Sequence, residues 1–352
     1  MANPEFENIA RSDGQRALKN VPNLDNLHDK RILVIGATGL VGSVLTYALA
    51  QIGHGATVVA VARDREELAR RFDGVENVEN KWLDVTNSVA TLPALDDIDV
   101  IVDCASITGA AVEDDPTSVM KTEFNGIDSV LSDIARFLKK EPVKPMVLYV
   151  SSASVYGSME AGRRPQETET GMALLDDLQA TAKRAAEALC LAYVRQYGLD
   201  VRVARLSRVY GPEFLSDDQR EAAGMLQCAA GEGVLGSWSM SGGRRTARTY
   251  VSDAVAGLLT VLTSGAAGEI YNVCDADACV TSSEFLSAIS SQAGIDLPTV
   301  GECEGSDAEP DALDSSKLEA LGWKPAVGVE KGMALSVAAL STFSGVMASG
   351  FR

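Results

Sequence analysis

The sequence predicts an α/β fold built on a parallel sheet. Three observations carry this. Short apolar runs of strand length alternate with longer stretches of helix length, at the spacing of βαβ units. The first run, from Arg31 to Gly36, is apolar after its first residue, as in a strand buried on both faces. It leads directly into Gly36-Ala-Thr-Gly39-Leu-Val-Gly42, which opens the next helix.

The elements follow in order. Leu40 to Ile52 predicts a helix, and Thr57-Val-Val-Ala-Val-Ala62 a second strand. The charged segment Asp64 to Arg71 predicts an exposed helix. Val78 to Asp84, Ile98 to Asp103 and Pro145 to Val150 predict three more strands, with a helix over 117–140 before the last. A helix over 176–197 and a strand over 200–206 continue the series. The crossovers are expected to be right-handed. Residues 1–29 are polar and without clear periodicity, and are expected to be an N-terminal extension. Residues 30–211 make the main α/β domain. From 212 the rhythm loosens into the glycine-rich segments 231–243 and 264–268. Residues 332–351 carry no charge, but Ser336, Ser341, Thr342, Ser344, Gly345 and Ser349 make them too polar for a comfortable membrane span. They predict a packed helix with a loose tail over 341–352.

Composition narrows the function. The chain has 352 residues, 46% of them apolar, enough for a full core and about two domains. A net charge of −18 argues against nucleic acid and anionic membranes as partners. There are only two histidines, His28 and His54, in a polar stretch and a glycine turn. Both read as structural, which argues against a Ser-His-Asp triad, a His-rich zinc site and a haem pocket. The six cysteines, at 104, 190, 228, 274, 279 and 303, form no C-x-x-C pair. No metal site is expected, and reduced thiols in a cytoplasmic setting are.

The glycine pattern carries chemistry. Glycines permit a tight turn and a close approach of backbone N–H groups to a pyrophosphate, and the helix start adds a favourable dipole. Strand before, helix after and parallel sheet beyond predict a dinucleotide held by Gly36, Gly39 and Gly42. An acidic residue at the end of the second strand would bond the ribose of NAD. This strand instead ends Ala62-Arg63-Asp64. Arg63 suits a 2′-phosphate and favours NADP, while Asp64 leaves NAD open. Asp84 is a candidate for holding the adenine amino group, or an N-cap before Thr86.

Further motifs then fall in order: Ser151-Ser152-Ala-Ser-Val155-Tyr156-Gly157, Lys183-Arg-Ala-Ala-Glu187, Arg205-Leu-Ser-Arg208-Val-Tyr210-Gly211-Pro212, Tyr250-Val-Ser-Asp253, Gly268-Glu-Ile-Tyr-Asn272 and Lys317-Leu-Glu-Ala-Leu-Gly322-Trp323-Lys-Pro325. With the glycine turn they resemble the extended short-chain dehydrogenase/reductase family, and within it the NAD-dependent epimerase/dehydratase group acting on nucleotide sugars. The resemblance covers about residues 30 to 340. It implies a Rossmann-type doubly wound sheet with a smaller C-terminal substrate-binding part, mainly over 212–340, with 246–273 returning to the core. It implies a homodimer paired through the helices at 117–140 and 176–197, where Ala180, Leu189 and Ala192 supply contact surface. It also assigns roles. Thr38, Leu40, Val41, Val85, Ala105 and Lys183 join the glycines, Arg63 and Asp84 around NADP or NAD. Ser106, Ser152, Arg208, Arg245 and Arg248 face a nucleotide sugar. Ser152, Lys183 and the residue four before Lys183 carry the catalysis.

That last residue is a tyrosine in the family, and here it is Gln179. None of the eight tyrosines has a lysine four positions on. Glutamine hydrogen-bonds but neither gives nor takes a proton at neutral pH. Other family positions change too: an asparagine becomes Glu123, another becomes Arg208, an arginine becomes Thr246, and the dehydratase Asp-Glu pair becomes Ala153-Ser154. Two readings result. One is an NAD(P)-dependent epimerase/dehydratase-like oxidoreductase with a non-standard site. The other is an NAD(P)-binding protein of the same fold that has lost turnover and serves as a sensor or partner subunit.

Overall fold

The computed structural model of the chain describes residues 4–86, 95–107, 115–138, 145–171, 177–212, 245–281 and 311–350, with short pieces at 240–241, 284–285, 287–288, 291 and 302–303. The strands are β1 (Arg31–Ile35), β2 (Thr57–Ala62), β3 (Val78–Trp82), β4 (Val100–Asp103), β5 (Met146–Ser152), β6 (Val201–Leu206), β7 (Arg208–Tyr210), β8 (Met240–Ser241), β9 (Arg245–Tyr250), β10 (Ile270–Val273), β11 (Cys279–Thr281) and β12 (Glu302–Cys303). The helices are α1 (Pro4–Leu18), α2 (Leu40–Ala50), α3 (Arg65–Phe72), α4 (Pro116–Met120), α5 (Gly126–Phe137), α6 (Leu178–Tyr197), α7 (Val251–Ser264), α8 (Ser316–Glu319) and α9 (Val329–Gly350).

Seven strands form one parallel sheet in the order β3-β2-β1-β4-β5-β6-β10. The direction of progression reverses between β1 and β4, and in such sheets ligands bind in the crevice outside the strand ends at that switch. The alternation of strand side chains explains the two layers. Ile32 and Val34 of β1 join the core under α2, α3 and α7, while Leu33 and Ile35 join the core under α5 and α6. Edge strand β3 is the exception to the apolar runs. Its sequence Val-Glu-Asn-Lys-Trp is largely exposed, as suits an edge that must not pair further. A smaller sheet of β7, β9 and β11 and a short β8–β12 pair lie outside the main sheet.

Two differences from the sequence reading stand out. The extension is a packed helix: α1 lays Ala10, Asp13 and Ala17 in buried positions. A methyl group on its Gly14 would fall 2.8 Å from the Ala48 nitrogen of α2. The contact face is made of small residues at helical spacing, so it produces no apolar periodicity. At the other end the backbone of α9 is helical to Gly350, past the expected start of a loose tail. Among the described residues, no helix is long and apolar enough to cross a membrane.

Several of the motifs turn out to brace the fold. The Tyr156 hydroxyl donates to Asn272 Oδ1 at 2.7 Å. Arg205 binds both oxygens of buried Glu187 at 3.0 and 2.7 Å. Asp253 accepts from the backbone nitrogens of Ala326 and Val327 at 3.0 and 2.8 Å, and its carbonyl accepts from Trp323 Nε1 at 3.0 Å. His28 and His54 stack at 4.4 Å in the loops flanking this core.

Candidate active site

The three glycines of the first turn do different work. Gly36 has φ +76°, and a Cβ there would sit 2.7 Å from the Ala105 nitrogen at the end of β4. A Cβ on Gly42 would fall 2.2 Å from the Gly36 carbonyl oxygen. These two are demanded by close packing. Gly39 is exposed, and a Cβ there meets nothing nearer than the Gly36 oxygen at 3.5 Å. It is the N-cap of α2, and its helix start has no side-chain cap. The free N–H groups of a helix's first turn need partners, and an anion satisfies them. The start of α2 is thus an open cradle of the kind a pyrophosphate fits, flanked by half-buried Thr38, Leu40 and Val41.

At the far ends of β2 and β3, Arg63 is exposed, and its carbonyl accepts from Trp82 Nε1 at 2.8 Å. The carboxylate of Asp64 is engaged elsewhere: it caps α3 by accepting from the Glu67 nitrogen at 3.0 Å. Asp84 turns toward Thr86, accepting from its nitrogen at 3.0 Å and its hydroxyl at 2.7 Å. Val85 packs beside the start of α5, where a methyl on Gly126 would meet its Cγ2 at 3.3 Å.

Outside the ends of β4 and β5 lies a buried charge cluster. Lys183, on the second turn of α6, donates from Nζ to the Val150 carbonyl at 2.7 Å. Its Nζ is also 2.7 Å from Glu123 Oε2, an ion pair between two buried side chains. Glu123 sits on a π-helical turn, Lys121–Asn125, that joins α4 to α5. Its other oxygen accepts from the Ser106 hydroxyl at 2.5 Å and the Ile107 nitrogen at 3.2 Å. Gln179 Nε2 donates to the Ile107 carbonyl at 3.2 Å. Glu123 and Gln179 therefore both bind one short loop, Cys104–Ile107, which carries Ser106, and Lys183 joins it through Glu123. Ala105, between them, donates its N–H to Asp103 Oδ1 at 3.1 Å. Asp103 itself is buried, and burial pushes its carboxyl up to about 7, against the pull of Lys183 and the Ala105 N–H and with the help of Glu123.

The remaining site residues divide. Ser152, half-buried at the end of β5, accepts from the Ser154 nitrogen at 3.1 Å. Arg208 and Arg248 occupy paired positions on β7 and β9. The Arg248 guanidinium lies 4.1 Å from the centre of the Phe285 ring. Arg245 turns away, to Glu284 at 2.9 Å and the Cys279 carbonyl at 2.7 Å. Thr246 is beside it on β9, and Arg244 lies outside the described residues.

The cluster contains what sequence reasoning missed. Glu123 was visible as a changed family position, but nothing in the sequence joined it to Lys183, which lies 60 positions away. The signal was a pair of changes in opposite chemical directions: a neutral amide position gained a carboxylate, and a phenol position lost its ionisable group. Asp103 ends an apolar strand, and the sequence marks it only as that strand's boundary.

The family described as the NAD dependent epimerase/dehydratase family matches residues 32–274. UDP-glucuronic acid decarboxylase 1 of Xenopus tropicalis is 29% identical over 94% of this chain and 76% of its own length. The fold is similar to UDP-glucose 4-epimerase of Thermotoga maritima with UDP-glucose, at a TM-score of 0.76 and 23% identity, covering 89% of this chain and 99% of that one. It is also similar to DesIV, a dTDP-glucose 4,6-dehydratase of Streptomyces venezuelae with NAD and TYD bound, at a TM-score of 0.75 and 23% identity, covering 90% and 98%. The family match over residues 32–274 spans well over half of the sequence, and the chain belongs to the NAD dependent epimerase/dehydratase family.

Proposed function

We propose that this chain binds a nicotinamide dinucleotide at the start of α2 and oxidises or reduces a nucleotide sugar in the crevice beside the Cys104–Ile107 loop. The observation that carries the reading is the open, uncapped helix start at Gly39, on the same side of the sheet switch as the buried Lys183 cluster. Gly36, Gly39, Gly42, Thr38, Leu40 and Val41 would hold the pyrophosphate, with Val85, Ala105 and Lys183 beside the rest of the dinucleotide. When bound, the dinucleotide supplies hydride transfer. Arg63 is exposed and Asp64 is committed to capping α3, which supports NADP over NAD. Ser106, Ser152, Arg208 and Arg248 would contact the nucleotide sugar, and Arg245 joins them only by leaving Glu284. Gln179 holds the loop through Ile107 and neither gives up nor takes on a proton at neutral pH.

A second reading is favoured by one observation. The Lys183 ammonium, which in the family reading steadies a phenolate, is here occupied by Glu123 and the Val150 carbonyl. On that reading the chain binds the dinucleotide without turnover. A homodimer through α5 and α6 completes the proposal: Ala192 is exposed and Leu189 half-buried, whereas Ala180 is buried within the chain itself and supplies no contact surface. A cytoplasmic setting is part of the same reading, supported by free thiols at Cys104, Cys190, Cys274 and Cys279.

The experiment is calorimetric titration with NADP and NAD, followed by incubation of the loaded protein with UDP-glucose, UDP-glucuronate and dTDP-glucose. Binding with conversion of one sugar supports the enzyme reading. Binding without conversion supports the second, and no binding overturns both.

A further inference from the structure

We infer that Ser106 and Glu123 form the proton path of this site: a substrate hydroxyl passes its proton to Ser106 Oγ as Ser106 passes its own to Glu123 Oε1. The inference rests on the reading that a nucleotide-sugar hydroxyl reacts in this crevice, and it assigns the task that Gln179 cannot perform.

The geometry points both ways along this path. Glu123 is fully buried, and of its two oxygens one is paired with Lys183 while the other receives the Ser106 hydroxyl at 2.5 Å. That is the short end of the range for O–H···O⁻ contacts. Ser106 is exposed at the end of β4, beside the sheet switch. A serine hydroxyl has one proton and two lone pairs. The proton is committed inward to Glu123, so the lone pairs remain to accept from a hydroxyl in the crevice. In the step, the substrate O–H bond breaks, an O–H bond forms on Ser106, the former Ser106 O–H bond breaks, and the proton rests on Glu123. The electron pair left on the substrate oxygen becomes the second bond of the new carbonyl as the carbon releases hydride, for which a bound nicotinamide dinucleotide would supply the acceptor. The reverse direction returns the same proton. Glu123 rides on a π-helical turn, a local widening of the helix that recurs at functional sites.

The surrounding groups set the charge balance. Lys183 faces Glu123 from α6, Asp103 from β4 and the Tyr149 hydroxyl from β5, with Glu187 and Cys190 further along α6 and Cys104 beside Asp103. Below about 7, Asp103 is protonated and carries no charge. A proton placed on Glu123 then leaves Lys183 without a counter-charge. Above about 7, Asp103 ionises and takes over that role, so the same proton is accepted at less cost. Oxidation of the sugar is therefore expected to rise through this pH, and Asp103→Asn to remove the rise.

A Glu123 that merely neutralised Lys183 would need nothing from the Ser106 hydroxyl, and this separates the two roles. In the cofactor-free protein, the infrared difference between wild type and Glu123→Gln marks the Glu123 carboxylate stretch, and Ser106→Ala is expected to shift that band. In the NADP-loaded protein with the nucleotide sugar it converts, Ser106→Ala is expected to lower kcat by about 10²-fold, near the lower end of general acid–base effects, without changing NADP affinity. Ser106→Thr, which keeps a hydroxyl, is expected to restore most of the rate. Glu123→Gln leaves Lys183 buried without its charge partner and risks the fold, but Ser106→Ala changes an exposed position and keeps the test decisive. An unmoved infrared band, or an unchanged kcat in Ser106→Ala, overturns the path. Wild type that binds both NADP and a nucleotide sugar yet converts none also overturns it, and the binding reading survives. Failure to bind NADP, NAD or any nucleotide sugar removes the proposed function itself.

Discussion

Lys183 and Glu123, one on α6 and one on the π-helical turn before α5, form a buried ion pair with Nζ and Oε2 2.7 Å apart. Both charges have left water, so each depends on the other. Glu123→Ala is expected to destabilise the protein by about 3–5 kcal/mol, the usual cost of stranding one member of a buried pair. Glu123→Leu combined with Lys183→Met is expected to recover most of that loss. Urea unfolding of the single and double variants checks both outcomes.

Two buried carboxyls set the acid side of the stability profile. Burial holds Asp13 up to about 6, against Arg16 and the Tyr250 hydroxyl, and Asp103 up to about 7. In the unfolded chain both ionise near 3.8. Between these values the folded state binds more protons, so stability is greatest at the acid end of the window and falls as pH rises through it. Thermal unfolding followed from pH 4 to pH 7 is expected to show a falling Tm contribution that Asp13→Asn and Asp103→Asn each flatten. A profile unchanged by both variants contradicts the assignment.

The glycine turn separates a packing defect from a binding defect. Gly39→Asp is expected to leave folding intact, because the added side chain enters open space, and to abolish dinucleotide binding by placing a carboxylate at the helix start. Gly36→Ala is expected to destabilise the fold, because the residue has φ +76° and its Cβ meets the Cys104–Ala105 backbone just after β4. Calorimetry for binding and circular dichroism for folding distinguish the two.

Arg63→Ala is expected to weaken NADP at least about tenfold more than NAD, the scale of one lost charge-assisted contact. Equal losses would mean that Arg63 does not read the 2′-phosphate.

Gln179→Tyr restores the family's phenol one turn before Lys183. Its gain in turnover is expected to fall well short of the ~10²-fold that a general base supplies, because the Lys183 ammonium is already committed to Glu123. The variant's turnover, measured after its folding is verified, tests this.

Much of the fold was legible because it depends on local pattern. Apolar runs such as Ile32 to Ile35 and Val58 to Val61 are buried on both faces and announce a parallel sheet, and Gly36 and Gly42 announce the backbone contacts that require them. The helix α1 was not legible, because its buried face is Ala10, Asp13, Gly14 and Ala17, whose small side chains produce no hydrophobic period. The cluster around Lys183 was legible only in part. The motifs located Lys183 and, four residues before it, Gln179, and flagged Glu123 as altered; Ser106 entered only as a substrate contact implied by the resemblance. Their meeting at the Cys104–Ile107 loop is a tertiary contact, set by how α6 and the π-helical turn pack beside β4, and no local pattern encodes it.

Hydride transfer by wild type, with glutamine at position 179, is the point on which everything else turns. The measurement is the absorbance of reduced nicotinamide, with products resolved by NMR, after NADP- or NAD-loaded protein is mixed with UDP-glucose, UDP-glucuronate or dTDP-glucose. Transient or net reduction with one of these sugars, together with its conversion, is the expected result. Full occupancy by dinucleotide and sugar with neither reduction nor conversion would contradict it and leave a binding protein in place of an enzyme.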